Sequence, residues 1–332
     1  MADDPIRLAA SLVDSAAVDA VQIAWRRDGK AASAAFGCGN DDRFALASLT
    51  KPVIALTCLI AAQNGALALD ESVRRHVPES ASDATLRELL AHAGGLPADD
   101  SAARRVQLQP GSTWTEVADA YMEVAPIAVP RARRIYSNAG YALATRALER
   151  ATGADYRTLV GRLVLEPLGL TRTAFGDDGG ALTVREPGLL GHGEQLFNGG
   201  RFRALGLPQS GLYGTAEEYL ALLDAIADDR LADSSAMRVN QFGRLAGGVE
   251  GFMEWPVCDW GVGFELRDGK SPHWTGDALS SAALSHFGAA GTLCLIDPAR
   301  DLRAVVLANR GTYSGWMLEP GGWPDICAAL AA

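Results

Sequence analysis

The chain has 332 residues, 48% of them apolar, and a formal net charge of −10. That length can bury a large core, as one big domain or two coupled ones. The acidic balance, with no basic cluster, argues against nucleic acid as a partner, and no apolar run reaches membrane-spanning length.

The start, Met1 to Pro5, is acidic where a signal peptide would be basic, and no apolar region follows, so the chain reads as cytoplasmic. Residues 6 to 18 read as an opening helix. Val18 to Arg26 and Lys30 to Gly37 look like two strands, turned at Asp28-Gly29, a dipeptide favoured in tight hairpins. From Asp70 the pattern becomes helical with many loops. Thr85 caps a short helix, and Ala139 to Thr152 forms another, closed by Gly153.

Residues 176 to 203 are Gly-rich and poorly patterned, as expected of a mobile or substrate-covering loop. A Gly-rich turn, Ser210 to Thr215, leads into a helix that ends near Asp228. Strands are then expected at Trp260–Leu266, Ala282–Phe287, Gly291–Ile296 and Leu302–Asn309. The last two should pair antiparallel across the turn Asp297 to Asp301. Trp323 to Ala331 reads as a short closing helix. Strands near both ends with helices between predict an α/β (α+β) fold, with one antiparallel sheet built from the two chain ends and flanked by helices. In that reading 1–70 and 205–332 form the α/β part of a single catalytic unit, and 71–204 a helical insertion.

The stretch Phe44 to Pro52, followed by the apolar run Val53 to Ala62, organises the rest. Pro52 lacks a backbone donor and suits only the first turn of a helix. A helix therefore starts near Ser48, with Ser48 and Lys51 at i and i+3 on one face. The run is apolar all round, so the helix should be buried. Ser-x-x-Lys alone usually marks a solvated helix edge. Here Lys occurs only at 30, 51 and 270, while Lys and Arg together total 30. Arg stays protonated, whereas a desolvated Lys can accept a proton from a neighbouring serine, which suits nucleophilic chemistry.

Tyr136 and Asn138 stand at i and i+2 before a helix, so in an extended turn both side chains point the same way. Tyr136 could relay a proton if nearby cations lowered its pKa, and Asn138 could orient a lysine or a substrate amide. The plainer reading is an aromatic followed by an N-cap. Ser285-His286-Phe287-Gly288-Ala289 lies on a strand ending in small residues, where a backbone N–H can serve an oxyanion. His286 and His92 each read more readily as structural, His92 hydrogen-bonding the Gly-rich turn that follows it. Trp255, Trp260 and Trp274 could line an apolar pocket or belong to the core. The five cysteines (Cys38, Cys58, Cys258, Cys294 and Cys327) are scattered, and the five histidines show no ligand spacing. Reduced thiols are expected, with no metal and no other cofactor.

Assembled, these residues resemble the serine β-lactamase-like superfamily of class C β-lactamases, DD-peptidases and family VIII esterases. Three motifs carry the resemblance in order: Ser48-Leu49-Thr50-Lys51, Tyr136-Ser137-Asn138 and His286-Phe287-Gly288. Connecting phrases such as Leu67-Ala68-Leu69-Asp70, Glu166-Pro167-Leu168-Gly169-Leu170 and Asp297-Pro298 also match, so the likeness spans about residues 43 to 310. The resemblance implies a β-lactamase/transpeptidase-like fold, with Ser48 as acylated nucleophile and Lys51 as proton acceptor or tuner of Tyr136. Tyr136 would shuttle a proton, Asn138 would hold Lys51 or substrate, and the N–H groups of Ser48 and Ala289 would form an oxyanion hole. His286 and Gly288 would border the substrate.

The third motif departs from the Lys-Thr-Gly of lactamases and most DD-peptidases. Phe287 cannot hydrogen-bond a substrate carboxylate, and a neutral His286 attracts it less than Lys. The expected function is therefore a serine hydrolase acting on a small-molecule ester, with amide hydrolysis or acyl transfer as variants. The alternatives are a β-lactamase or D-amino-acid peptidase, and a non-catalytic relative that binds an acyl ligand or a partner.

Overall fold

Apolar strands from the two ends of the chain meet in one six-stranded antiparallel sheet. A computed structural model describes residues 4–177, 179–185 and 197–332 of the chain. The Asp4 side chain caps helix α1 (Pro5–Asp14), which has Pro5 in its first turn. Asp28 and Gly29, both at positive φ, turn strand β1 (Val21–Arg27) into β2 (Lys30–Phe36), as the hairpin dipeptide predicts. After β3 (Phe44–Ala45), a 3-10 turn over Ala47–Leu49 runs directly into α2 (Thr50–Gln63). Every residue of α2 from Thr50 to Ala61 is buried, as its all-round apolar pattern requires.

Shorter helices follow. The first, α3 (Leu86–Leu90), carries a Thr85–Glu88 capping box; next come α4 (Ser101–Leu108), capped by Asp100, and α5 (Trp114–Met122). Strand β4 (Arg134–Ile135) precedes α6 (Asn138–Thr152), which Ser137 caps and which ends at Gly153 with φ 71°. The second half holds β5 (Ala174–Phe175), β6 (Leu212–Gly214), the helix Ala216–Ala227, β7 (Gly247–Val249) and β8 (Met253–Trp255). It ends with β9 (Glu265–Leu266), β10 (Leu284–Gly288), β11 (Thr292–Asp297), β12 (Leu302–Ala308) and the closing helix Trp323–Ala331. Among the described residues no helix is long and apolar enough to cross a membrane.

The main sheet runs β2-β1-β12-β11-β10-β9. Alternation along β12 sends Val305 and Leu307 to the core around α2, and Ala304 and Val306 to a second core under α1 and the closing helix. Covered on both faces, β12 is apolar from Ala304 to Ala308, and its one charged residue, Arg303, pairs with Asp228 at 2.8 Å.

Three expectations change. The strand expected over Trp260–Leu266 shrinks to β9, because Gly261 N–H bonds Phe264 O in a turn and Gly263 has φ +88°. The turn expected over Ser210–Thr215 contains β6, which pairs with both β3 and β5. Of the loop expected over 176–203, residues 178 and 186–196 lie outside the described residues, and Gly200–Leu205 is helical.

Arg134 stitches these pieces together. It is 1% exposed and forms no ion pair among the described residues; its guanidinium donates to Cys258 O (3.1 Å), Ala91 O (2.7 Å), Asn240 Oδ1 (2.9 Å) and Gln241 O. Burial pulls its pKa down to about 10, so it stays charged at neutral pH. One side chain thereby fixes the loop after α3, the turn before β7 and the segment before β9. Arg134→Met strands four acceptors and should destabilise the fold by ~2–5 kcal/mol, read from the urea unfolding midpoint. An unchanged midpoint would mean that water replaces the guanidinium at no cost.

Candidate active site

The site forms where β10 ends against the turn that begins α2. Ala47 has φ +49°, a left-handed conformation strained for a residue with a Cβ, and it sets Ser48 at the turn's surface. On the other side Gly288 is required sterically. A Cβ there would lie 2.4 Å from Leu46 O and 2.3 Å from Thr292 Oγ1. Thr292 Oγ1 donates to Leu46 O at 3.0 Å, which fastens the strand to the turn. This close approach brings Ala289 and Ser48 onto one cavity wall. The Ser48 N–H sits in the first helical turn, where no intrahelical acceptor precedes it. The Ala289 N–H makes no backbone bond among the described residues. Both residues line the cavity, and neither N–H is used in a backbone hydrogen bond among the described residues.

Lys51 is fully buried, with Nζ 3.0 Å from Ser48 Oγ and 3.0 Å from Gln209 O, to which it donates. The rings of Tyr136 and Tyr141 cover it at 4.8 and 5.7 Å. Burial lowers its pKa to about 7, opposed by the charge of Asp99. A neutral amine at that position can accept the Ser48 proton.

The Tyr136 ring packs between His92 (4.4 Å), Trp260 (5.8 Å) and His286 (5.8 Å), and its N–H is held by Gly248 O at 3.2 Å. The expectation that cations lower its pKa is reversed. Burial raises it, with the Ser48 hydroxyl opposing, so Tyr136 keeps its proton at neutral pH and is a donor. Asn138 lines the same cavity as Tyr136, as the i, i+2 spacing predicts. Among the described residues it makes no hydrogen bond to Lys51; its Nδ2 donates to Asp99 Oδ2 at 3.5 Å.

Asp99 was not singled out from sequence. Next to Asp100, which caps α4, it reads as part of a helix start. Its Oδ1 accepts from Tyr121 OH (2.8 Å) and Asp100 N (2.9 Å). Asp99 thus anchors Asn138 and supplies the negative charge felt by Lys51.

The two histidines are neutral. His286 Nδ1 donates to Phe287 O at 2.9 Å, and burial, with Lys51 adding, pushes its pKa down to about 3. His92 does not bond the Gly-rich turn after it. Its Nδ1 accepts from Ser137 N at 3.0 Å, which pins the turn carrying Tyr136 and Asn138. Burial holds it well below the usual histidine range.

The cavity measures about 610 Å³, and Phe252 and Phe287 form its aromatic side. Their rings lie 5.1 Å apart, with Phe287 resting on Trp274 at 5.0 Å. Trp255, Trp260 and Trp274 themselves are core. Among the described residues no group of three or more His, Cys, Asp or Glu could hold a metal ion.

A family model described as Beta-lactamase matches residues 6–315. Esterase EstB of Burkholderia gladioli is 28% identical, over 83% of this chain and 79% of its own length. The unguisins hydrolase of Aspergillus violaceofuscus is 31% identical, but only over 31% of this chain and 18% of its own length. A crystal structure of a beta-lactamase from Mycobacterium bovis superposes with TM-score 0.73 at 26% identity, covering 97% of each chain.

Labelling of Ser48 by a fluorophosphonate should report the Lys51 titration. Protonated Lys51 cannot accept a proton, so the rate should fall about tenfold per pH unit below about 7 and level off above it. Asp99→Asn removes a charge that favours the protonated amine, so it should move the bend to lower pH. A bend that stays in place would remove Asp99 from the Lys51 electrostatics.

Proposed function

The chain belongs to the Beta-lactamase family as a hydrolase of that fold, and we propose that it cleaves small esters through an acyl-enzyme on Ser48. The observation that carries this reading is the buried Lys51 amine 3.0 Å from Ser48 Oγ, with no carboxylate in salt-bridge contact among the described residues. In the proposed acylation, Ser48 Oγ attacks the ester carbonyl as Lys51 takes its proton. The developing oxyanion is held by the N–H groups of Ser48 and Ala289. Collapse of the tetrahedral adduct breaks the bond to the leaving oxygen, which takes the phenolic proton of Tyr136. Lys51 then returns its proton to Tyr136. In deacylation water attacks the acyl carbonyl along the same route, and Ser48 leaves with a proton.

Phe287 supports an ester over a β-lactam or D-amino-acid peptide. Those substrates carry a carboxylate near the scissile bond, and the third motif offers it an aromatic ring and a neutral imidazole. The likeness to an esterase over most of both chains points the same way.

Intact-protein mass spectrometry tests both parts. Incubation with p-nitrophenyl butyrate should give a transient butyryl adduct on Ser48, and benzylpenicillin none. A persistent penicilloyl adduct would return the lactamase or peptidase reading to first place, and no adduct from either would favour a binding role. Ser48→Ala should abolish turnover without unfolding. Lys51→Ala and Tyr136→Phe should each cost about 10²–10⁴ in kcat, with the double variant little worse than the poorer single one.

A further inference from the structure

Part of the cavity wall is built from α4. Arg104 and Gln107, at i and i+3, both line it together with Asp99. The Arg104 side chain is 30% exposed, and its guanidinium makes no hydrogen bond among the described residues. Its one charged contact is loose, 3.7 Å to Asp99 Oδ2. Other arginines of similar or deeper burial are tied closely: Arg203 to Asp177 at 2.5 Å, Arg267 to Asp277 at 2.8 Å, Arg43 to Asp177 at 2.7 Å. Asp99 is meanwhile satisfied by Tyr121, the Asp100 N–H and Asn138. The Gln107 amide N–H is taken by Tyr121 OH at 2.8 Å. A planar fork of donors therefore faces the cavity with little to hold.

We propose that Arg104 forms an anion subsite that receives one carboxylate carried by the substrate, away from the bond that Ser48 attacks. The proposal rests on the esterase reading and names its substrate class: esters with a terminal carboxylate, as in half-esters of dicarboxylic acids. The guanidinium fork matches a carboxylate in two parallel hydrogen bonds. Asp99 and Glu250 also line the cavity, so a dianion such as a phosphate monoester is repelled more strongly than a single carboxylate held by the fork. Phe202, Phe252 and Phe287 suit the apolar chain between the two polar ends.

Two matched pairs test this at pH 8, with Lys51 neutral and the substrates ionised. Mono-4-nitrophenyl adipate against 4-nitrophenyl hexanoate puts the carboxylate on the acyl side; 4-(hexanoyloxy)benzoate against phenyl hexanoate puts it on the leaving group. Arg104→Gln should lower the charged-to-neutral ratio of kcat/KM about tenfold to a hundredfold in one pair. Arg104→Lys should keep part of it, and added salt should erode the wild-type preference. A ratio unchanged by Arg104→Gln in both pairs overturns the subsite. If the wild type hydrolyses no ester, the esterase reading fails, and binding then decides the subsite separately. Monoethyl adipate titrated calorimetrically into Ser48→Ala protein should bind at least tenfold more weakly once Arg104→Gln is added. Equal affinity, or no binding to either, overturns the proposal.

Discussion

A lysine buried without a counter-ion is the constraint on which this site depends. The comparison lies within the chain. Lys270 is also buried, but its amine pairs with Glu265 Oε1 at 2.5 Å and donates to Asp259 O at 3.0 Å. Lys51 has a carbonyl, a hydroxyl and two aromatic rings. The same residue type is thus ion-paired in one place and held by a carbonyl and a hydroxyl in the other, and the difference is one carboxylate. The surroundings of Lys51 cooperate. Tyr136 keeps its proton, and both His92 and His286 are neutral, so the titratable groups crowded around one amine add no positive charge to it.

The substitution in the third motif is supported from behind. Trp274, on which Phe287 rests, donates from Nε1 to Ser285 Oγ at 3.0 Å, and Ser285 Oγ donates to Glu265 Oε2 at 3.3 Å. Glu265 is tied in turn to His273 at 2.9 Å and to Lys270. Successive residues of β10 point to opposite faces. Ser285 and Phe287 therefore share one face with Trp274, while His286 turns to Tyr136 on the other. The aromatic side of the cavity is the outer layer of a buried polar network, held firm enough to give the pocket a shape.

How much of this was legible in the sequence follows from how local the cause was. Pro52 and the apolar run after it announce a buried helix start, so Ser48 and Lys51 are readable. The i, i+2 spacing places Tyr136 beside Asn138. Local chemistry could not reveal Asp99, because an aspartate pair before a helix looks like a cap, and Asp100 is one. The direction of the Tyr136 shift was likewise hidden, since it depends on burial by His92, Trp260 and His286, all distant in sequence. Strand β7 leaves no side-chain pattern: Gly247 and Gly248 adopt φ +139° and +159°, and a Cβ on either would strike the neighbouring backbone at about 2 Å. Such a strand pairs because it is bare, and alternation cannot flag it.

The order of the main sheet has a consequence for the time before the protein is whole. A ribosome delivers Ser48 and Lys51 early, together with the β1–β2 hairpin, but the inner neighbour of β1 is β12, near the far end of the chain. Until β10, β11 and β12 emerge, the hairpin has no sheet to join, and the turn at Ala47 lacks the strand that fits against it. Ala289, with its backbone donor, arrives with that strand. A nascent or broken chain therefore carries Ser48 and Lys51 without the strand end that packs against their turn. The cavity wall that joins Ser48 to Ala289 is thus a property of the finished molecule alone.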